Sequence, residues 1–143
     1  MLAGSEFLAI GKLADSLAKL LARLRGEKDR RNKKAAAYFD SLGSTLEQMA
    51  VKLRRKEIPR VEGNRFERLV ASFDAETKGL PKSEDIQQAR DEVRKAAYIA
   101  QRLDWHYLVQ DERVARMAER WLADIERTAG LLQAIGALLR PGA

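Results

Sequence analysis

The sequence predicts an all-α protein, with four or five helices packed as one mostly antiparallel bundle. Three observations predict it. Leucine-rich stripes recur at spacings of three and four residues along most of the chain, as they must where a helix buries one face. No alternating apolar–polar run bounded by hairpin turns occurs, and no internal repeat is visible. Nine glycines and three prolines in 143 residues leave long uninterrupted segments, and long helices with short connections pack antiparallel.

The first helix is predicted over Phe7–Arg25. Ile10, Leu13, Leu17, Leu20 and Leu24 form its stripe, Leu21 widens it, and Lys12, Asp15, Lys19 and Arg23 lie opposite. Gly26 is its stop. The four residues Gly4-Ser5-Glu6-Phe7 are what two adjacent cloning sites encode, so residues 1–7 are set aside and one bundle domain is expected over 8–140.

The second helix is predicted over Asp29–Lys56, with Tyr38 or Phe39, Leu42, Leu46, Met49 and Leu53 inward. Gly43 costs about 1 kcal/mol against alanine but would let a neighbour approach closely. Pro59 ends this segment. Asn64 followed by Glu67 reads as a capping box for a short third helix with Phe66, Leu69, Val70 and Phe73 on one face. Gly79-Leu80-Pro81 then breaks the chain.

Ser83 is a good N-cap, with Glu84 and Asp85 in the first turn where the helix dipole favours carboxylates. Ile86, Val93, Ala100, Tyr107, Val114 and Trp121 keep a seven-residue interval. Two helices are expected here, broken near Val109–Glu112. The last carries Val114, Met117, Trp121, Ile125, Leu132, Ile135 and Leu139 and stops at Pro141-Gly142. The expected core is Leu17, Leu20, Leu46, Met49, Leu53, Phe66, Leu69, Val93, Leu103 and Trp121.

A chain of this length buries roughly 68–70% of its unfolded surface and needs neither disulfide nor metal to hold a core. There is no cysteine, which removes disulfides, thiolate metal sites and thiol nucleophiles and fits a reducing cytoplasm. No apolar run approaches the ~18–20 residues of a membrane span, and Lys12 interrupts the N-terminal apolar stretch that a secretory signal would need.

Little in the sequence can carry chemistry. His106, the single histidine, lies between Trp105 and Tyr107 and reads as a bundle histidine satisfied by a carbonyl or water, since a metal needs more ligands. Glu-x-x-His, the di-iron signature of helical bundles, does not occur. Asp91-Glu92 and Asp111-Glu112 are adjacent in sequence; on a helix they point about 100° apart, so they read as solvated surface groups. No phosphate-cradling glycine loop is present. The sequence is read as non-enzymatic, with no cofactor.

Charge is the informative feature. Residues 1–60 hold 14 Lys/Arg against 7 Asp/Glu, and residues 61–143 hold 13 against 14, so a net +7 and −1 divide the chain. Arg23, Arg25, Lys28, Arg30, Arg31, Lys33 and Lys34 fall within twelve residues, and Arg54, Arg55 and Lys56 form a second group with Lys52 and Arg60. Along one helix the two groups stand roughly 35 Å apart. These are the candidate partner-binding residues, together with apolar residues near Leu131–Leu139. The expected partner is another protein or a neighbouring domain. Sequence-tolerant nucleic-acid binding through phosphate contacts is one alternative. Another is an anionic membrane, disrupted on activation by the basic amphipathic first helix of an otherwise cytoplasmic protein. Self-association is a third.

Ala37-Tyr38-Phe39-Asp40-Ser41-Leu42, then Leu46, Met49-Ala50, Leu53-Arg54, Ile58-Pro59 and a short helix with Phe66 and Leu69, resembles a helical module of bacterial signalling and defence proteins whose role is unassigned. The resemblance covers about residues 35–73. It implies no catalytic residue. Val61-Glu62-Gly63-Asn64 stands where that module carries a His-Gly-Lys-like turn. The lack of a catalytic constellation together with one charged half makes the chain read as a non-enzymatic interaction or regulatory module, excised from a longer protein.

Overall fold

The computed structural model describes residues 4–28, 30–102 and 112–142, with side-chain environments from Ile10 onward except for 101–118. Its described residues form six helices: α1 Gly4–Arg25, α2 Lys33–Arg54, α3 Arg60–Ala71, α4 Phe73–Glu76, α5 Glu84–Arg102 and α6 Glu112–Leu139. No strand occurs among them. The fold is the predicted all-α bundle.

Cross-helix contacts fix the topology. Arg54 meets Glu126, Gln133 donates to Glu47 and Arg140 meets Asp40, so α2 and α6 are antiparallel. Lys52 meets Glu62 while Tyr38 reaches Leu69, so α2 and α3 are antiparallel too. Asp15 pairs with Arg127, and Gly11 lies beside Asp124, which makes α1 and α6 parallel. Arg23 near Asp85 puts the start of α5 beside the end of α1. Packing closes into a ring, α1–α6–α2–α3–α5 and back to α1. Because α5 and α6 run in opposite directions, the seven-residue series is divided between two helices. Its expected break at Val109–Glu112 lies outside the described residues except for Glu112, where α6 begins.

The ring encloses one core. Leu13, Leu17, Leu20, Phe39, Leu42, Phe73, Val93, Leu132, Ile135 and Leu139 are wholly buried, and Leu46, Met49, Leu53, Phe66 and Trp121 nearly so. Leu69 is half-buried against this core; Leu103 and His106 lie outside the described residues. Tyr38 and Phe39 were alternatives in the sequence, and both are inside. With Phe73 they form an edge-to-face triad, centroids 5.9–6.1 Å apart, the preferred arrangement of ring quadrupoles. The Tyr38 hydroxyl donates to the Leu69 carbonyl at 2.5 Å.

Several boundaries differ from expectation: α1 begins at Gly4 rather than Phe7, and Phe73, expected on the third helix, opens the separate α4. α2 begins at Lys33 rather than Asp29, because Asn32 caps it by accepting from the Ala35 N–H at 3.0 Å. It ends at Arg54 rather than Lys56. Lys56 adopts φ 59° and donates to the Leu53 carbonyl, and Glu57 donates to Lys52, the paired bonds of a Schellman stop. The capping box at Asn64 and Glu67 is not formed: the N-cap position is Pro59, five residues earlier, and α3 starts at Arg60. Glu62 in that first turn is buried and pairs with Lys52 at 2.6 Å, so a tertiary ion pair overrides the weak helix preference of Gly63-Asn64.

Two surface assignments also change. Glu92, expected to be solvated, is 8% exposed; Lys95 contacts its Oε1 at 3.4 Å, while Oε2 has no hydrogen-bond partner among the described residues. Asp91, one position along, is exposed and pairs with Arg90. Leu131–Leu139 is not an exposed apolar segment. Leu132, Ile135 and Leu139 are core, and Leu131, Ala134 and Leu138 pack half-buried against it, because α6 contacts both α1 and α2.

Candidate functional site

The basic residues divide by position in the bundle. The α1–α2 loop, the α4–α5 loop and the end of α6 meet at one end, and Asn32 joins them. Its backbone N–H donates to the Leu139 carbonyl at 2.8 Å, and a Cβ on Gly79 would lie 2.5 Å from its Nδ2. Arg23, Arg25, Lys28, Arg30, Arg31, Lys33 and Lys34 all belong to this end.

Three of these seven cations serve the fold. The Arg30 guanidinium donates to the carbonyls of Arg25 and Glu27 at 3.2 and 3.3 Å, tying down the α1–α2 loop. Lys34 donates to the Ala75 carbonyl at 3.3 Å and so holds α4. Arg23 faces Asp85 at 3.7 Å. The other four, Arg25, Lys28, Arg31 and Lys33, are exposed and make no ion pair among the described residues.

The fold adds two more. Lys78 and Lys82 flank Gly79-Leu80-Pro81, are exposed, and also lack an ion-pair partner among the described residues. They line a cleft of about 270 Å³ with Thr77, Leu80, Ser83 and Arg90. A second cleft, of about 430 Å³, lies between Lys33, Asp40 and Arg140. Sequence reasoning missed Lys78 and Lys82 because they sit in the neutral half of the chain; the contact of Gly79 with Asn32 carries them to the basic end.

The second basic group is at the opposite end and is partly spent. Arg54 forms a bidentate pair with Glu126, which raises the guanidinium pKa through that hydrogen bond and the carboxylate's charge. Lys52 is committed to Glu62. Arg55 and Lys56 stay exposed at the Schellman turn. The two groups are therefore separate surfaces.

The leucine face of α1 is spent in the core: Leu13, Leu17 and Leu20 are wholly buried and Leu24 is 2% exposed. Full burial of one such side chain is worth about 1.5–3 kcal/mol, so presenting this face to a bilayer would first require the bundle to open. Among the described residues no helix is long and apolar enough to cross a membrane. Among them, too, no group of three or more His, Cys, Asp or Glu is placed to hold a metal ion.

The chemistry this basic end supports is electrostatic attraction of an anionic surface. Six cations without an ion-pair partner among the described residues, in and beside two loops, offer charge without fixed bidentate geometry, which suits an extended partner better than a single small anion. Comparison with known proteins adds nothing to that geometry: no family model, no curated protein and no solved structure matches the chain.

Proposed function

We propose that the chain is a non-catalytic helical interaction or regulatory module, a domain of a larger bacterial protein, which engages an anionic protein surface through the basic end of the bundle. One observation carries this proposal. Arg25, Lys28, Arg31 and Lys33 are exposed and unpaired among the described residues, and Gly79 packing on Asn32 adds Lys78 and Lys82 from a distant segment. Arg54 and Arg127 away from this end are paired across helices, with Glu126 and Asp15; at the end itself Arg140 pairs with Asp40, and these six cations are left over. Clustered like charge that the fold leaves uncompensated raises the association rate with a complementary surface more than it stabilises the domain.

The test is crosslinking capture in the native host. Wild type is compared with a variant carrying Arg25→Glu, Arg31→Glu and Lys33→Glu. Proteins held by wild type and lost from the variant support the proposal. An unchanged set of partners, or turnover of a small molecule by the isolated domain, rejects it. The same free cations favour sequence-tolerant nucleic-acid binding as the second reading. That reading requires a complex with DNA or RNA at low salt whose affinity falls steeply as salt is added.

A further inference from the structure

The seam between α2 and α3 carries a second exposed surface. Near the basic end, Lys34, Ala37, Tyr38 and Ser41 of α2 face Leu69 of α3, Ser72 at its C-cap and Glu76 of α4 across a groove of about 280 Å³. Helical register carries the outer face of the same seam beyond this groove toward the other end. Steps of three and four residues from Ser41 reach Ser44, Gln48, Val51 and Arg55; the same steps back from Ser72 reach Arg68, Arg65 and Val61. All of these are exposed.

Val51 and Val61 lie on one side of the seam. Lys52 and Glu62 face each other across it at 2.6 Å, and each valine immediately precedes one member of that pair. In two antiparallel right-handed helices, residues preceding a facing pair both turn about 100° to the same side. Ser72 and Ser41 place the groove on that side as well. Val51 and Val61 are 44% and 61% exposed, and with Tyr98 they are the large exposed apolar side chains among the described residues.

Charge on this strip is one-sided. Lys34, Arg55, Arg65 and Arg68 stand against a single carboxylate, Glu76. Neither Arg65 nor Arg68 makes an ion pair among the described residues. From Lys34 to Arg55 the strip runs about 31 Å along α2, close to the length of a helix of about 20 residues. Unpaired arginines flanking exposed valines and small serines are the composition of a helix-in-groove interface, in which apolar anchors enter the groove and charges line its rim. Phosphate backbones would use the arginines and leave the valines idle.

We propose that the α2–α3 groove docks an acidic amphipathic helix of a partner protein, its apolar residues against Val51 and Val61 and its carboxylates against Arg65 and Arg68. This rests on the chain being an interaction module and gives that module a second, specificity-determining surface. The probe is a labelled helical peptide of about 20 residues with a leucine stripe flanked by glutamates, measured by fluorescence anisotropy. Saturable binding to wild type is expected. Arg65→Glu with Arg68→Glu, and separately Val51→Ser with Val61→Ser, each weaken it by about tenfold. All four sites are exposed, so helix content should be unchanged; should the glutamates lower it, Arg65→Gln with Arg68→Gln replaces them. Arg25→Glu with Arg31→Glu, which changes charge only beside the Lys34 end of the strip, costs less peptide affinity than either groove variant, because salt screens exposed charges over about a Debye length. Absence of saturable binding overturns the proposal, as does wild-type affinity in the groove variants. So does displacement of the peptide by a short DNA duplex that binds the valine variants as tightly as wild type. Failure here, with partner capture still dependent on the basic end, removes the groove and leaves the module; failure of both removes the module.

Discussion

Asn32 donates its backbone N–H to the carbonyl of Leu139, the last residue of α6, at 2.8 Å. One of the carbonyls that a helix end leaves without an intrahelical partner is thereby satisfied by a residue from the far side of the sequence. The Asn32 side chain meanwhile caps α2 through the Ala35 N–H, and Gly79 packs on its amide. A single asparagine thus registers three segments at the end where cations without an ion pair among the described residues collect. Asn32→Ala is expected to destabilise the domain by about 1 kcal/mol through loss of the cap. Asn32→Asp, which retains the accepting oxygen, should lose less. Urea unfolding measures both, and equal losses would assign the effect to something other than the cap.

Glycines in the helices separate by what surrounds them. A Cβ at Gly43 would lie 2.8 Å from the Ala129 carbonyl oxygen and 2.8 Å from the Gln133 side chain, and one at Gly136 would lie 3.0 Å from the Ala36 carbonyl oxygen. Those close approaches let α2 and α6 pack backbone to backbone. Gly43→Ala should therefore destabilise by about 1–3 kcal/mol, overpacking outweighing the gain in helix preference. Gly63 and Gly130 have nothing within 4 Å. Alanine at either should stabilise by about 0.5–1 kcal/mol. Thermal melting of the three single variants checks the opposite signs.

Lys56 holds a left-handed conformation, φ 59°, in the Schellman stop of α2. A side chain there costs about 1–2 kcal/mol that glycine avoids. Lys56→Gly is expected to raise stability by about 1 kcal/mol, after allowance for the greater freedom of glycine in the unfolded chain. A lower melting temperature for this variant would show that the lysine side chain contributes more to the fold than its backbone costs.

Burial raises the pKa of the Tyr38 hydroxyl, and the nearby Glu76 charge pushes it further in the same direction. The folded state therefore keeps this proton when the unfolded chain has lost it. Stability from Tyr38 is complete below about pH 10, the ordinary tyrosine value, and declines as pH rises above it toward the folded pKa. Tyr38→Phe should cost about 1 kcal/mol at neutral pH, the net worth of the hydrogen bond to Leu69. It should also flatten part of the alkaline decline. Denaturant unfolding at neutral pH and above pH 10 separates the two effects, and an unchanged slope would assign the decline to other groups.

Much of the fold was legible in the residues themselves. The stripe Ile10, Leu13, Leu17, Leu20 and Leu24 fixes which face of α1 is inward, since only burial rewards that spacing, and every one of those side chains is buried. Ser83 announces the start of α5, and its Oγ accepts from the Ile86 N–H, because capping is a local bond. The cation clusters were legible as composition. Local signals could not weigh Asn64 with Glu67 against a start at Arg60: the deciding contact, Lys52 with Glu62, forms only once α2 and α3 lie side by side. They could not distinguish Glu92 from Asp91, whose burial depends on which neighbours the helix turns toward. Nor could they tell which cations are spent. Arg30 closes a loop, Lys34 holds α4 and Arg54 pairs with Glu126, while Arg31 and Lys33 make no ion pair among the described residues. Periodicity acts between residues one turn apart and is written in the sequence. Pairing of charges acts through space between residues tens of positions apart, and only the tertiary structure decides it.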